Sequence, residues 1–138
     1  LIMKVSKLMS EDLVTVLMDD ELDMIKAIFD TKKFHHLLVV DEKCSKLYGV
    51  LSDRDLLKAL NPKVFGKVAT HDDLACLNIK VHQIMTRKPI VLNEDDVLAK
   101  AIALFNEFNL SCLPVLNHEG RPVGILSWRD IIKAMAAA

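Results

Sequence analysis

Two short stretches of the chain carry side chains able to hold a small polar ligand: Ser52-Asp53-Arg54-Asp55 and Ser127-Trp128-Arg129-Asp130. Each follows a Gly-led apolar run (Gly49–Leu51, Gly124–Leu126) and precedes an apolar pair, Leu56-Leu57 or Ile131-Ile132. A serine followed three residues later by an acid is a capping box. The serine caps the helix, and the acid returns a hydrogen bond to the serine N–H. The same geometry suits a ligand. A helix start after a strand offers N–H groups to an anion. The serine hydroxyl can donate to a phosphate oxygen. The aspartate only accepts, so it repels phosphate and suits the two donors of a ribose diol. Capping and binding can coexist. Arg54 and Arg129 read equally well as phosphate partners or as solvated first-turn arginines. Trp128 stands where the first copy has Asp53. It reads as a packing residue ahead of a wall for a base, and the difference predicts two non-equivalent sites.

Other chemistries find little support. His35, His36, His71, His82, Cys44, Cys76 and Cys112 show no ligand spacing, so no metal site is expected. There is no nucleophile elbow, Gly-rich phosphate loop or framed pair of acids, so no enzyme and no required cofactor is expected. The 18 basic and 19 acidic residues give a formal charge of −1, which predicts no nucleic-acid partner. No apolar run approaches the ~20 residues needed to cross a bilayer. The start, LIMKVSKLMSED, mixes charges with apolar residues and does not read as a secretory signal. An odd number of cysteines reads as free thiols, and a cytoplasmic setting is expected.

Positioning the two motifs falls to an internal repeat. VSKLMSEDLVTV from Val5 lies over VHQIMTRKPIVL from Val81. At that offset Met9 meets Met85, Asp19-Asp20 meet Asp95-Asp96, Leu22 meets Leu98 and Phe29 meets Phe105. One residue fewer in the turn after Asp41 then brings GVLSDRDLLKA onto GILSWRDIIKA. Each copy predicts a short apolar turn, a brief strand (Val14–Val16, Ile90–Leu92) and a helix with Asp or Asn capping its start. A buried strand (Leu37–Val40, Leu113–Leu116), the Gly-led strand and a closing helix (Asp53–Leu60, Trp128–Met135) complete it. The fold class is α/β (α+β), with the order β-α-β-β-α twice. Repeat one spans residues 1–60, a connecting segment 61–80 and repeat two 81–138. The connection has a helical signal near Asp72–Cys76. One repeat cannot cover its own apolar face, so the two are expected to pack sheet to sheet about a pseudo-two-fold axis. At 138 residues they form one compact domain, burying about 70% of the surface of the unfolded chain.

The repeated unit, ending in Gly-hydrophobic-hydrophobic-Ser-x-x-Asp, resembles the cystathionine-β-synthase-type (CBS) domain. The resemblance covers essentially the whole chain. It is nearest in architecture to free-standing bacterial CBS pairs, including acetoin-utilisation regulators of the AcuB type. It implies two clefts between the repeats for AMP, ADP, ATP, S-adenosylmethionine or a related adenosine compound. It also implies Ser52 and Ser127 for phosphate, and Asp55 and Asp130 for ribose. Backbone and apolar side chains near the first strand would hold adenine, at Val14-Thr15 and Pro89-Ile90-Val91. Some members carry a His-Arg pair before the second strand. His35-His36 stand there in repeat one and Ser111-Cys112 in repeat two, so His36 is the candidate phosphate partner. His35 alone reads as an exposed loop histidine.

A homodimer is expected from the helices. Leu22, Ile25 and Phe29 form one stripe, with Met24 and Ile28 beside it, and Leu56, Leu57 and Leu60 match Ile131, Ile132 and Met135. These stripes are wider than one sheet face needs. The expected function is a regulatory module that binds an adenosine ligand and signals through dimer geometry, acting on an unidentified target protein. The competing reading is a ligand-free scaffold for dimerisation or docking.

Overall fold

The computed structural model describes residues 3–31, 35–59 and 79–137. Its chain divides into two compact units, one of Val14–Lys43 with Tyr48–Lys88, the other of Leu1–Leu13, Cys44–Leu47 and Pro89–Ala138.

The first of these is built on a four-stranded sheet in the order β1-β2-β3-β4. Its strands are β1 (Thr15–Leu17), β2 (His36–Val40), β3 (Leu47–Ser52) and β4 (Thr86–Arg87). β1 runs parallel to β2, with Thr15 opposite Leu38, and β4 runs antiparallel to β3, with Thr86 opposite Val50. The apolar run Leu37–Val40 is wholly buried, as a strand covered on both faces must be. Helix α1 (Leu22–Thr31) turns Leu22 and Ile25 into the core, with Ile28 and Phe29 partly buried against it, and leaves Met24 exposed. Helix α2 (Asp53–Ala59) buries Leu56 and Ala59.

The other unit repeats this plan with three strands, β5 (Leu92–Asn93), β6 (Cys112–Leu116) and β7 (Pro122–Ser127). β5 is parallel to β6, and β6 is antiparallel to β7, with Cys112 opposite Ser127. Helix α4 (Leu98–Glu107) buries Ala101, and helix α5 (Trp128–Ala137) buries Ile131.

The sequence repeats and the compact units are cut at different places. Helix α3 (Val81–Ile84) opens repeat two, yet Val81 and Met85 lie in the core with Val16, Leu22, Leu37 and Leu51. A 3-10 turn at Val5–Lys7 opens repeat one, yet Val5 lies in the core with Leu92, Leu113 and Leu126. Burying a valine side chain of this kind is worth about 1.5–3 kcal/mol. The repeats therefore exchange their leading segments. β4 is a strand the sequence pattern does not predict, because two polar residues, Thr86 and Arg87, form it.

The acids before α1 and α4 act differently from the expected helix caps. Asp20 accepts the Leu17 N–H at 2.8 Å and Asp96 the Asn93 N–H at 2.8 Å. Each sits two residues ahead of its helix and folds back on the strand end, closing the turn between them. The N-cap of α4, Val97, has no side-chain hydrogen bond. The helix expected near Asp72–Cys76 and the dimer-stripe residue Leu60 lie outside the described residues. Among the described residues no helix is long and apolar enough to cross a membrane.

Candidate functional site

At one end of the four-stranded sheet the chain brings together the start of β1, the start of β2 and the end of β3. The parallel pairing of β1 with β2 places Val14 beside Leu38, whose N–H donates to the Val14 carbonyl at 3.0 Å. The Asp53 N–H donates to the His35 carbonyl at 3.0 Å, fastening the start of α2 to the entry of β2. Val14, Thr15, His36 and the Ser52–Asp55 motif thus share one edge of one unit. Thr15 is exposed, while Val14 and His36 are half-buried. In the other unit Cys112 lies opposite Ser127, and Pro89-Ile90-Val91 lead into β5, which pairs with β6. Pro89, Ile90 and Val91 are all half-buried, with Ile90 packed against the core.

Both motifs form the expected capping box. In the first, the Ser52 N–H donates to Asp55 Oδ2 at 2.9 Å and the Asp55 N–H donates to Ser52 Oγ at 3.1 Å. In the second, the Ser127 N–H donates to Asp130 Oδ2 at 2.8 Å and the Asp130 N–H reaches Ser127 Oγ at 3.3 Å. The Ser127 hydroxyl also donates to Asp130 Oδ2 at 3.1 Å. These bonds fix the rotamers of both side chains at the part-buried end of a strand. They engage only one carboxylate oxygen, Oδ2, in each aspartate. A fixed carboxylate of this kind is a pre-oriented acceptor for a donor pair such as a ribose diol.

Around this shared frame the two motifs differ. Asp53 Oδ2 lies 3.1 Å from His35 Nδ1, between side chains 45% and 55% exposed. The histidine read from sequence as a loop residue therefore has a partner; the register that brings positions 35 and 53 together is a tertiary property. Trp128 is 47% exposed, not packed as the sequence suggests, because Ile131 takes the core-facing position on α5. The guanidinium of Arg129 sits 5.6 Å from the centre of the Trp128 ring, a cation–π contact. Arg54 is exposed.

A group missed in the sequence lies on the β5–β7 unit. Glu94, Asp95 and His118 bring ligand atoms within 4.8 Å of one another. Lys4 Nζ lies 3.2 Å from Asp95 Oδ1, and His118 Nε2 contacts Oδ2. The Lys4 hydrogen bond, and next the His118 hydrogen bond, hold the Asp95 carboxyl below its ordinary value of 3.8. Lys4 and His118 thus take both oxygens of Asp95, and the cluster reads as a surface ion-pair network. His71 and Cys76, two of the scattered ligands named from sequence, lie outside the described residues.

A CBS domain family profile matches residues 5–62 and 81–137. The chain belongs to the CBS domain family. It is 32% identical over 129 residues to a CBS domain-containing protein of Dictyostelium discoideum, covering 93% of this chain and 88% of that protein. It is 30% identical over 179 residues to an uncharacterised protein of Methanocaldococcus jannaschii, covering 94% of this chain and 42% of that protein. This CBS pair thus spans less than half the length of the latter relative. Its fold matches a CBS domain pair solved with 5′-methylthioadenosine and S-adenosyl-L-methionine, at TM-score 0.79 and 26% identity, over 99% of this chain and 98% of that one. CBSX2, a CBS-pair protein of Arabidopsis thaliana also solved with AMP, matches at TM-score 0.80 and 26% identity, over 98% and 97% of the two chains. A putative acetoin utilisation protein of Vibrio cholerae shares the fold at TM-score 0.78 and 22% identity, over 99% and 93%.

Proposed function

We propose that this CBS pair is a non-catalytic regulatory module that binds an adenosine-containing ligand at its Ser-x-x-Asp motifs. One observation carries the reading. In both units an aspartate with one carboxylate oxygen free of the cap stands beside a serine at a strand end, next to the backbone that opens the first strand. Asp55 and Asp130 accept from the ribose. Ser52, Ser127, Arg54 and Arg129 are the donors on hand for a phosphate, with His36 as a further candidate in the first copy. The adenine lies along Val14-Thr15 or Pro89-Ile90-Val91. Support for the ligand class comes from the two CBS pairs solved with AMP and with S-adenosyl-L-methionine and 5′-methylthioadenosine.

Occupancy is transmitted through a homodimer, in a cytoplasmic setting and toward a target protein. Leu57 and Met135, each 68% exposed, and Ile132, 54% exposed, support such an interface. A ligand shifts dimer geometry only if it binds two geometries with different affinity. The same exposed residues would serve a ligand-free scaffold, so binding separates the two readings. Calorimetric titration with AMP, ADP, ATP, S-adenosylmethionine and GTP tests it. AMP or ADP should bind at least as well as ATP, and GTP poorly, because no residue run forms a triphosphate cradle. Strong GTP binding, or no binding of any adenosine compound, overturns the reading.

A further inference from the structure

Resting on the adenosine-binding reading, we propose that the two sites divide their ligands by charge. The Ser52–Asp55 site takes an adenosine compound with no phosphate, and the Ser127–Asp130 site takes one that carries it.

The difference lies at one position. The first motif places two acids and one base at the start of α2, and the second places one acid and one base at the start of α5. Asp53 is half-exposed and held by His35 at 3.1 Å, so its carboxylate stays beside the motif. An imidazole cancels that charge only when protonated. His36, a further candidate, already has a partner. A phosphate here would meet two carboxylates. A neutral or cationic substituent would not be repelled.

In the second motif the uncharged Trp128 replaces Asp53. The guanidinium of Arg129 makes a cation–π contact with that ring, 5.6 Å from its centre. Its five N–H donors in a planar fork suit the oxygens of a phosphate. The contact with the exposed Trp128 ring also keeps the side chain near the motif.

The test is calorimetry at pH 8 with adenosine and AMP. Asp130→Ala isolates the first site and Asp55→Ala the second. The Asp130→Ala chain should bind adenosine at least as tightly as AMP, and the Asp55→Ala chain should prefer AMP. Asp53→Asn in the Asp130→Ala chain should raise the AMP-to-adenosine affinity ratio about five- to tenfold, the effect of removing one charge several ångströms away. Trp128→Asp, an exposed change in the otherwise unaltered chain, should lower AMP affinity by a similar factor and keeps the test alive if an aspartate variant misfolds. An equal AMP preference at both sites, or ratios unmoved by Asp53→Asn and Trp128→Asp, overturns the division by charge. If the unaltered chain binds neither compound, the underlying adenosine reading fails instead.

Discussion

The backbone N–H of Val81 donates to the carbonyl of Asp20 at 2.8 Å, tying the head of repeat two to repeat one. The reciprocal bond runs from Val5 to Asp96 at 2.9 Å. Both valines are fully buried in the core they join. Val81→Ala should therefore cost about 1.5–3 kcal/mol in urea denaturation, while Lys7→Ala on the exposed side of the 3-10 turn should stay within about 0.5 kcal/mol. A fragment of residues 1–60 lacks Val81 and Met85 and should show no cooperative unfolding. A sharp transition for that fragment would refute the exchange.

Two matched glycines lie under the two leading-segment methionines. A Cβ on Gly49 would stand 2.6 Å from the Thr86 carbonyl oxygen and 2.7 Å from Met85 Sδ. The three atoms nearest a Cβ on Gly124 would all belong to the Met9 side chain. A methionine side chain can move aside; a carbonyl in a strand pair cannot do so cheaply. Gly49→Ala should destabilise by about 2–3 kcal/mol and Gly124→Ala by about 1 kcal/mol. Thermal denaturation of the two variants side by side decides it, and equal losses would contradict the contact geometry.

The repeat, the order of elements and both capping boxes were legible in the sequence because they rest on local spacing. What was not legible depends on register between distant segments. The pairing of His35 with Asp53 follows from the end of β3 arriving beside the start of β2. The Lys4–Asp95–His118 network needs three segments of one unit to converge. β4 is invisible because Thr86 and Arg87 carry no apolar alternation; the strand exists only because β3 offers an edge. Trp128 is exposed against the sequence expectation because aromatic character alone does not say which face of a helix a residue takes.

Acid stability should report the Asp95 network. Its carboxyl is held below the ordinary 3.8 by Lys4 first and His118 second. A group whose pKa is depressed on folding adds stability above its unfolded value and loses it as pH falls through the folded value. Asp95→Asn should thus be less stable than the parent at pH 7, with the gap closing as pH falls below the ordinary 3.8 and through the depressed folded value. Denaturation midpoints from pH 2 to pH 7 test this, and a gap independent of pH would refute it.

The exposed Leu57, Ile132 and Met135 predict self-association. Sedimentation at micromolar concentration should give a mass near twice the 15.5 kDa of the chain. Leu57→Glu with Ile132→Glu should return the monomer without unfolding it, since both side chains are on the surface. A clean monomer for the parent, with and without nucleotide, would remove the proposed signalling route.

The most direct test is calorimetric titration of AMP into the parent and into the Asp55→Ala, Asp130→Ala double variant. Each aspartate is assigned one hydrogen-bonded contact to ribose from a carboxylate oxygen that the cap leaves open. Loss of such a contact weakens binding by about 1.5–3 kcal/mol, or roughly 10- to 150-fold at the occupied site. The caps should weaken as well, by about 1 kcal/mol each, so circular dichroism at the titration temperature confirms that the variant is folded. The expected result is saturable AMP binding by the parent and its loss or strong weakening in the folded double variant. Undiminished AMP binding by that variant would contradict the assignment of Asp55 and Asp130 to the ligand.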